Sequence, residues 1–128
     1  TKADLDLTKE LLSSTGLVLE VDESQQDAVT AVSGSGPAYF FSFVESMIKS
    51  GVKLGLSEEI ATKLAIGTIV GSAAMLQESG IDAATLRKNV TSPNGTTAAA
   101  LEVFSTKKLD DIINEAMTAA KKRSQELA

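Results

Sequence analysis

Long stretches with an apolar face alternate along the chain with short stretches rich in glycine, proline, serine and acidic residues. Leu5, Leu7, Leu11 and Leu12, set among Lys2, Asp4, Lys9 and Glu10, predict a short helix ending near Ser14, with Gly16 as its stop. Leu17-Val18-Leu19-Glu20-Val21 is too short for a helix and rich in β-formers, and reads as a short strand or an extended link. Asp22, Glu23 and Ser24 make the acidic first turn of a helix reaching about Val32. Ser33-Gly34-Ser35-Gly36 then breaks the chain, and Pro37 suits the first position of a new helix. That helix runs through Tyr39, Phe40, Phe41, Phe43, Val44, Met47, Ile48 and Val52 to end near Gly55. Ser57 caps the next, with Glu58 and Glu59 in its first turn, and Gly80 stops it after Ser79. Asp82 caps a short helix through Leu86 to Asn89. Beyond a loop over 90–97, Ala98–Phe104 and Leu109–Leu127 complete the set. The fold class is therefore all-α, a helical bundle with at most one short extended segment near Leu17–Val21.

Two of these helices carry too much apolar surface for a chain this short. In the helix after Pro37 the charges Glu45, Lys49 and Lys53 fall four apart on one narrow stripe. In the next, Leu64 to Leu76 has no charge at all, and Gly67 and Gly71 share a face where another backbone can come close. A lone domain of 128 residues does not easily cover two such helices, so a partner chain is expected, most simply a symmetric copy. The uncharged run is too short, and too rich in Gly, Ser and Thr, to read as a membrane span.

Composition narrows the chemistry. One domain is expected from the length. A formal net charge of −5 and a pI near 4.7 oppose nucleic acid as a main partner. The basic triplet Lys121-Lys122-Arg123 reads as a solvated helix end suited to the dipole. There is no cysteine and no histidine, hence no disulfide framework, no thiolate and no imidazole base. No carboxylates stand at acid–base or metal-ligand spacing, and no metal site is expected. Neither a signal peptide nor an initiator methionine opens the sequence, and a cytoplasmic fragment or processed piece is the expectation.

Two loops invite a functional reading. Ser33-Gly34-Ser35-Gly36-Pro37 resembles a phosphate loop only superficially, because Tyr39 stands where a third glycine belongs and no buried strand precedes it. A tight inter-helix turn is the expectation there. Asn89-Val90-Thr91 and Asn94-Gly95-Thr96 match the glycosylation pattern by chance. The stretch Val90-Thr91-Ser92-Pro93-Asn94-Gly95-Thr96-Thr97 concentrates hydroxyls in a chain otherwise short of reactive groups. Pro93 biases Ser92 toward an extended form, and Asn94 and Gly95 readily take left-handed conformations. The chain thus turns sharply into a helix at Thr96 or Thr97. Two readings remain open. The free amides of Gly95, Thr96 and Thr97, with the Ser92 hydroxyl, suit a small carboxylate. Alternatively Thr96 or Asn94 simply caps the helix.

Asp27-Ala28-Val29-Thr30-Ala31-Val32-Ser33-Gly34-Ser35-Gly36-Pro37-Ala38-Tyr39, then Gly51-Val52-Lys53-Leu54-Gly55-Leu56, then Leu86 through Thr97, resemble pyrroline-5-carboxylate reductases in order and spacing. The resemblance covers the C-terminal helical domain of that family, which follows a Rossmann NAD(P)-binding domain. It implies an intertwined homodimer, often built into rings of dimers. It implies reduction of pyrroline-5-carboxylate to L-proline by hydride from NADPH or NADH, the cofactor being held mainly by the other domain. Carried over position by position, Ser92 with the amides of Gly95 and Thr96 holds the substrate carboxylate. Thr97 is the catalytic residue, bonding the ring nitrogen and helping its protonation. Asn89 approaches the nicotinamide side of the cofactor, and Glu23 lies near the substrate. Asn94 stands where many relatives have glycine. The alternative expectation is an all-α oligomerisation module that keeps no ligand site.

Overall fold

The structure is a computed structural model that describes residues 1–127. Seven α-helices account for most of it: α1 (Lys2–Ser13), α2 (Gln26–Val29), α3 (Gly36–Lys53), α4 (Glu58–Glu78), α5 (Ala83–Asn89), α6 (Thr96–Thr106) and α7 (Leu109–Leu127). No strand occurs among the described residues, so Leu17–Val21 is the extended link rather than the strand. α1 starts on Thr1, whose hydroxyl accepts from the Asp4 amide at 3.3 Å. An ion pair between Lys9 and Glu20 folds the link back along α1.

The segment after the link departs most from expectation. The helix over 22–32 is in fact three unlike pieces: a tight 3-10 turn at Glu23–Gln25, α2, and a π turn at Thr30–Gly34. The break foreseen at Ser33–Gly36 is therefore a widened helical turn. Ser35 donates its amide to Thr30 O at 2.8 Å, five residues back, and Ser33 Oγ returns to Val29 O at 3.0 Å. Tyr39 Oη donates to Ala31 O at 3.1 Å and ties the first turns of α3 to the π turn. Hydrogen bonding, not glycine freedom, shapes this junction, since neither Gly34 nor Gly36 has a positive φ.

α3 packs along α4, α7 lies across α2 and the π turn, and α6 meets α7. α3 and α4 come close at Gly51: a Cβ there would stand 3.1 Å from Cβ of the buried Ala61. Phe43 of α3 meets Phe104 of α6 edge to face, with centroids 6.5 Å apart. Ala31, Ala61 and Ala65 are the only buried hydrophobic residues among those described. By contrast Phe41, Val70 and Leu64 are 73%, 62% and 57% exposed. A side chain at Gly67 or Gly71 would meet nothing within 4 Å, so the face expected to receive another helix lies open within this chain.

A folded monomer of 13.3 kDa exposes about 6,500 Å². This chain exposes 10381 Å². The excess of roughly 3,900 Å² on one chain is more than each partner of a typical obligate assembly buries. By length and composition α4 also meets the requirement for crossing a membrane. Such a helix is equally the signature of one covered by protein on all sides, and here one of its faces already packs on α3.

Candidate functional site

The loop between α5 and α6 is built by bonds that span no more than a few residues. Asp82 caps α5, its carboxylate accepting from the Thr85 hydroxyl at 2.7 Å and from the Thr85 amide at 3.0 Å. Those bonds, the hydroxyl's first, hold the Asp82 carboxyl below its ordinary range. At the other end of α5, Thr91 Oγ1 donates to Arg87 O at 2.6 Å and the Thr91 amide to Lys88 O at 3.1 Å. Asn89 is the last residue of α5 and is exposed. The anchoring role of Thr91 was not assigned from sequence. Its signal is a hydroxyl four residues after Arg87 at a helix exit, where threonine bonds back to the chain.

Ser92 through Gly95 form the turn. The Gly95 amide donates to Ser92 O at 3.1 Å, with Pro93 at the second position and Asn94 at φ 57 at the third. That is the pattern of a type II turn, in which the third residue must be left-handed. Asn94 therefore keeps the turn in place of glycine. Gly95 does not share the left-handed role: its φ is −82 and its ψ 175, an ordinary extended conformation. Its amide closes the turn, so of the three amides expected to face an anion, those of Thr96 and Thr97 remain.

Gly95 is also the cap residue of α6, and no side chain caps this helix. The first intrahelical bond goes from Ala99 N to Gly95 O at 3.1 Å. The amides of Thr96, Thr97 and Ala98 thus have no acceptor among the described residues. The simple cap by Thr96 or Asn94 is therefore not formed. The hydroxyls of Ser92, Thr96 and Thr97 likewise make no hydrogen bond among the described residues, in contrast to that of Thr91 at the exit of α5. What results is a positive helix end with free backbone donors, an arrangement open to a small anion.

Glu23 is not part of this group. It lines a separate cleft of about 540 Å³ between the 23–35 segment and the end of α7, with Asp27, Thr30, Ser35, Arg123 and Ser124. A second cleft, of about 580 Å³, lies between Arg87 and Lys108, over Phe104 and Ser105. The residues 92–97 line neither cleft. No three His, Cys, Asp or Glu side chains gather among the described residues in a way that would hold a metal.

The fold and the loop together define a class: a helical domain with apolar faces left uncovered and an anion-ready helix end built in. Comparison with known proteins makes this particular. The family model of pyrroline-5-carboxylate reductase dimerisation matches residues 23–127, and the chain belongs to that family. It is 48% identical over 127 residues to a pyrroline-5-carboxylate reductase of Pseudomonas aeruginosa, covering 98% of this chain and 46% of the relative. A solved reductase of Coxiella burnetii superposes with a TM-score of 0.94 at 36% identity, covering all of this chain and 48% of that one. A pyrroline carboxylate reductase of Plasmodium falciparum, solved with NADP bound, superposes with a TM-score of 0.88 at 35% identity, over 98% of this chain and 51% of that one. The chain thus spans about half the length of the relatives it matches.

Proposed function

We propose that this chain supplies the dimer contact and the substrate-carboxylate loop of an enzyme that reduces pyrroline-5-carboxylate to L-proline. The observation that carries the reading is the uncapped start of α6, with free amides at Thr96 and Thr97, entered through a turn whose Ser92 hydroxyl lies against Gly95. The substrate is a small ring bearing one carboxylate, and it presents the charge this terminus favours.

Bound there, the carboxylate takes the Thr96 amide and the Ser92 hydroxyl. The ring nitrogen then falls to Thr97, whose hydroxyl bonds it and favours its protonated, more electrophilic form. The nicotinamide cofactor, NADPH or NADH, supplies the hydride when bound. Asn89 suits its nicotinamide end, since the exposed side-chain amide has no hydrogen-bond partner among the described residues. This division of labour asks orientation and charge of the protein, which fits a chain without histidine or cysteine. Glu23 lies apart from the loop within one chain, and its place near the substrate requires the geometry of the assembled enzyme. The open faces of α3 and α4 suit a homodimer, and larger rings of dimers would use what surface remains. A cytoplasmic enzyme is the accompanying expectation.

One observation favours the rival reading, an oligomerisation module without a ligand site: the loop lines neither of the two clefts described above. Titrating the labelled chain with proline decides between the two. Shifts confined to the amides of Thr96, Thr97 and their neighbours support the carboxylate loop. An unchanged spectrum from a folded protein supports the module. The 128-residue chain is expected not to oxidise NAD(P)H, and extension to the full length of its relatives is expected to give turnover.

A further inference from the structure

Gly95 is a glycine without a conformational reason to be one. Its φ of −82 and ψ of 175 are open to any residue, and the left-handed position of the turn belongs to Asn94. The space around it shows a different reason. A Cβ built on Gly95 would stand 2.3 Å from Ser92 Oγ, 3.2 Å from Ser92 O and 3.6 Å from Ser92 Cβ. The hydroxyl of Ser92 is therefore tucked against the backbone where α6 begins, in the space a side chain at 95 would fill. No internal acceptor holds it there among the described residues.

We propose that Gly95 is a positioning residue: its missing side chain lets the Ser92 hydroxyl lie beside the first free amides of α6, where it completes the carboxylate site. The inference rests on the carboxylate reading above. An added methyl at 95 need not break the turn. Ser92 O, at 3.2 Å, has to yield only slightly. Ser92 Oγ, at 2.3 Å, has to leave, and rotation about χ1 takes it to another staggered position. The hydroxyl is then lost to the ligand while the fold stands. The cost thus appears in binding rather than in folding, which sets Gly95 apart from a glycine kept for a left-handed turn.

The test is a double-mutant cycle on this chain with proline as the probe, read from the Thr96 and Thr97 amide shifts. Gly95→Ala and Ser92→Ala are each expected to weaken binding roughly tenfold, the loss of one hydrogen bond to a charged group. The double variant is expected to be no weaker than Ser92→Ala alone, since both changes remove the same contact. A Gly95→Ala protein with the parent affinity, or losses that simply add, would overturn the inference. The Ser92 α–β proton couplings give an independent reading: one rotamer in the parent and a different one in Gly95→Ala. An unchanged rotamer overturns the proposal even if proline fails to bind the parent, an outcome that by itself removes the carboxylate reading instead. Should Gly95→Ala lose its fold, the double variant is expected to regain it, and one that stays unfolded is the contrary result.

Discussion

The α5–α6 loop and the α3–α4 pair encode their roles in opposite ways. The loop is complete within about a dozen residues: Asp82 starts α5, Thr91 returns to Arg87, Gly95 closes on Ser92, and α6 begins uncapped. Every bond that shapes it is local. The helix pair is longer and far more apolar, yet it finishes nothing within its own chain. Gly51 and Ala61 seat one helix on the other, and the outer faces of both stay exposed. A loop of this kind can be specified by a short run of turn and cap residues. An assembly surface is specified only collectively, by what a large apolar area leaves uncovered.

The sharpest way to break this contrast is to put a charge on the open helical face and leave the loop alone. Val70 is 62% exposed in the chain and lies near Gly67 and Gly71 on α4. If a second copy covers this face, Val70→Glu buries an unpaired carboxylate at a cost of several kcal/mol. Sedimentation should then show monomers at concentrations where the parent is dimeric, with part of the helical circular dichroism lost. A variant that sediments and folds like the parent would mean the face is free, and the assembly uses another surface.

How much of this was legible in the sequence follows the same divide. The limits of α5, α7 and α4 were readable because Asp82, Ser57 and the glycines and charges near helix ends act locally. The left-handed Asn94 was readable for the same reason. The π turn at Thr30–Gly34 was not, since a bond reaching back five residues leaves no periodic mark and Gly-Ser-Gly looks like a break. Gly95 was assigned to the right loop for the wrong cause: its contact with Ser92 is steric and invisible to turn grammar. Glu23 joins the loop by resemblance alone, and the single chain holds it in a cleft that the loop does not line.

A second substitution tests the loop without touching the helical faces. Thr97→Val keeps the branched shape and removes the hydroxyl, so the fold and the assembly are expected to be unchanged. In the full-length enzyme its partner would be the charged ring nitrogen, and losing such a hydrogen bond costs about 1.5–3 kcal/mol. The expected result is a fall in kcat of roughly ten- to a hundredfold, with KM changed less, since the bond strengthens as the nitrogen is protonated. Unaltered kcat would remove Thr97 from the chemistry and leave the loop as a carboxylate clamp only.

The smallest effect concerns the base on which the loop stands. Bonds from the Thr85 hydroxyl and amide lower the Asp82 carboxyl from its ordinary value of 3.8. A carboxyl depressed in the folded state contributes its stability above the ordinary value and loses it as the pH falls through the lowered one. Protection of the α5 amides, taken relative to the intrinsic exchange rate at each pH, is therefore expected to stay level from neutrality down to about pH 4 and to fall below it. Asp82→Asn keeps an oxygen for the cap and cannot titrate, so its profile should be flat through the same window. The exposed faces of α3 and α4 owe nothing to this carboxylate. If oligomer dissociation follows the same acid transition in the parent and disappears in Asp82→Asn, the loop and the helical faces are coupled, and the independence argued for them fails.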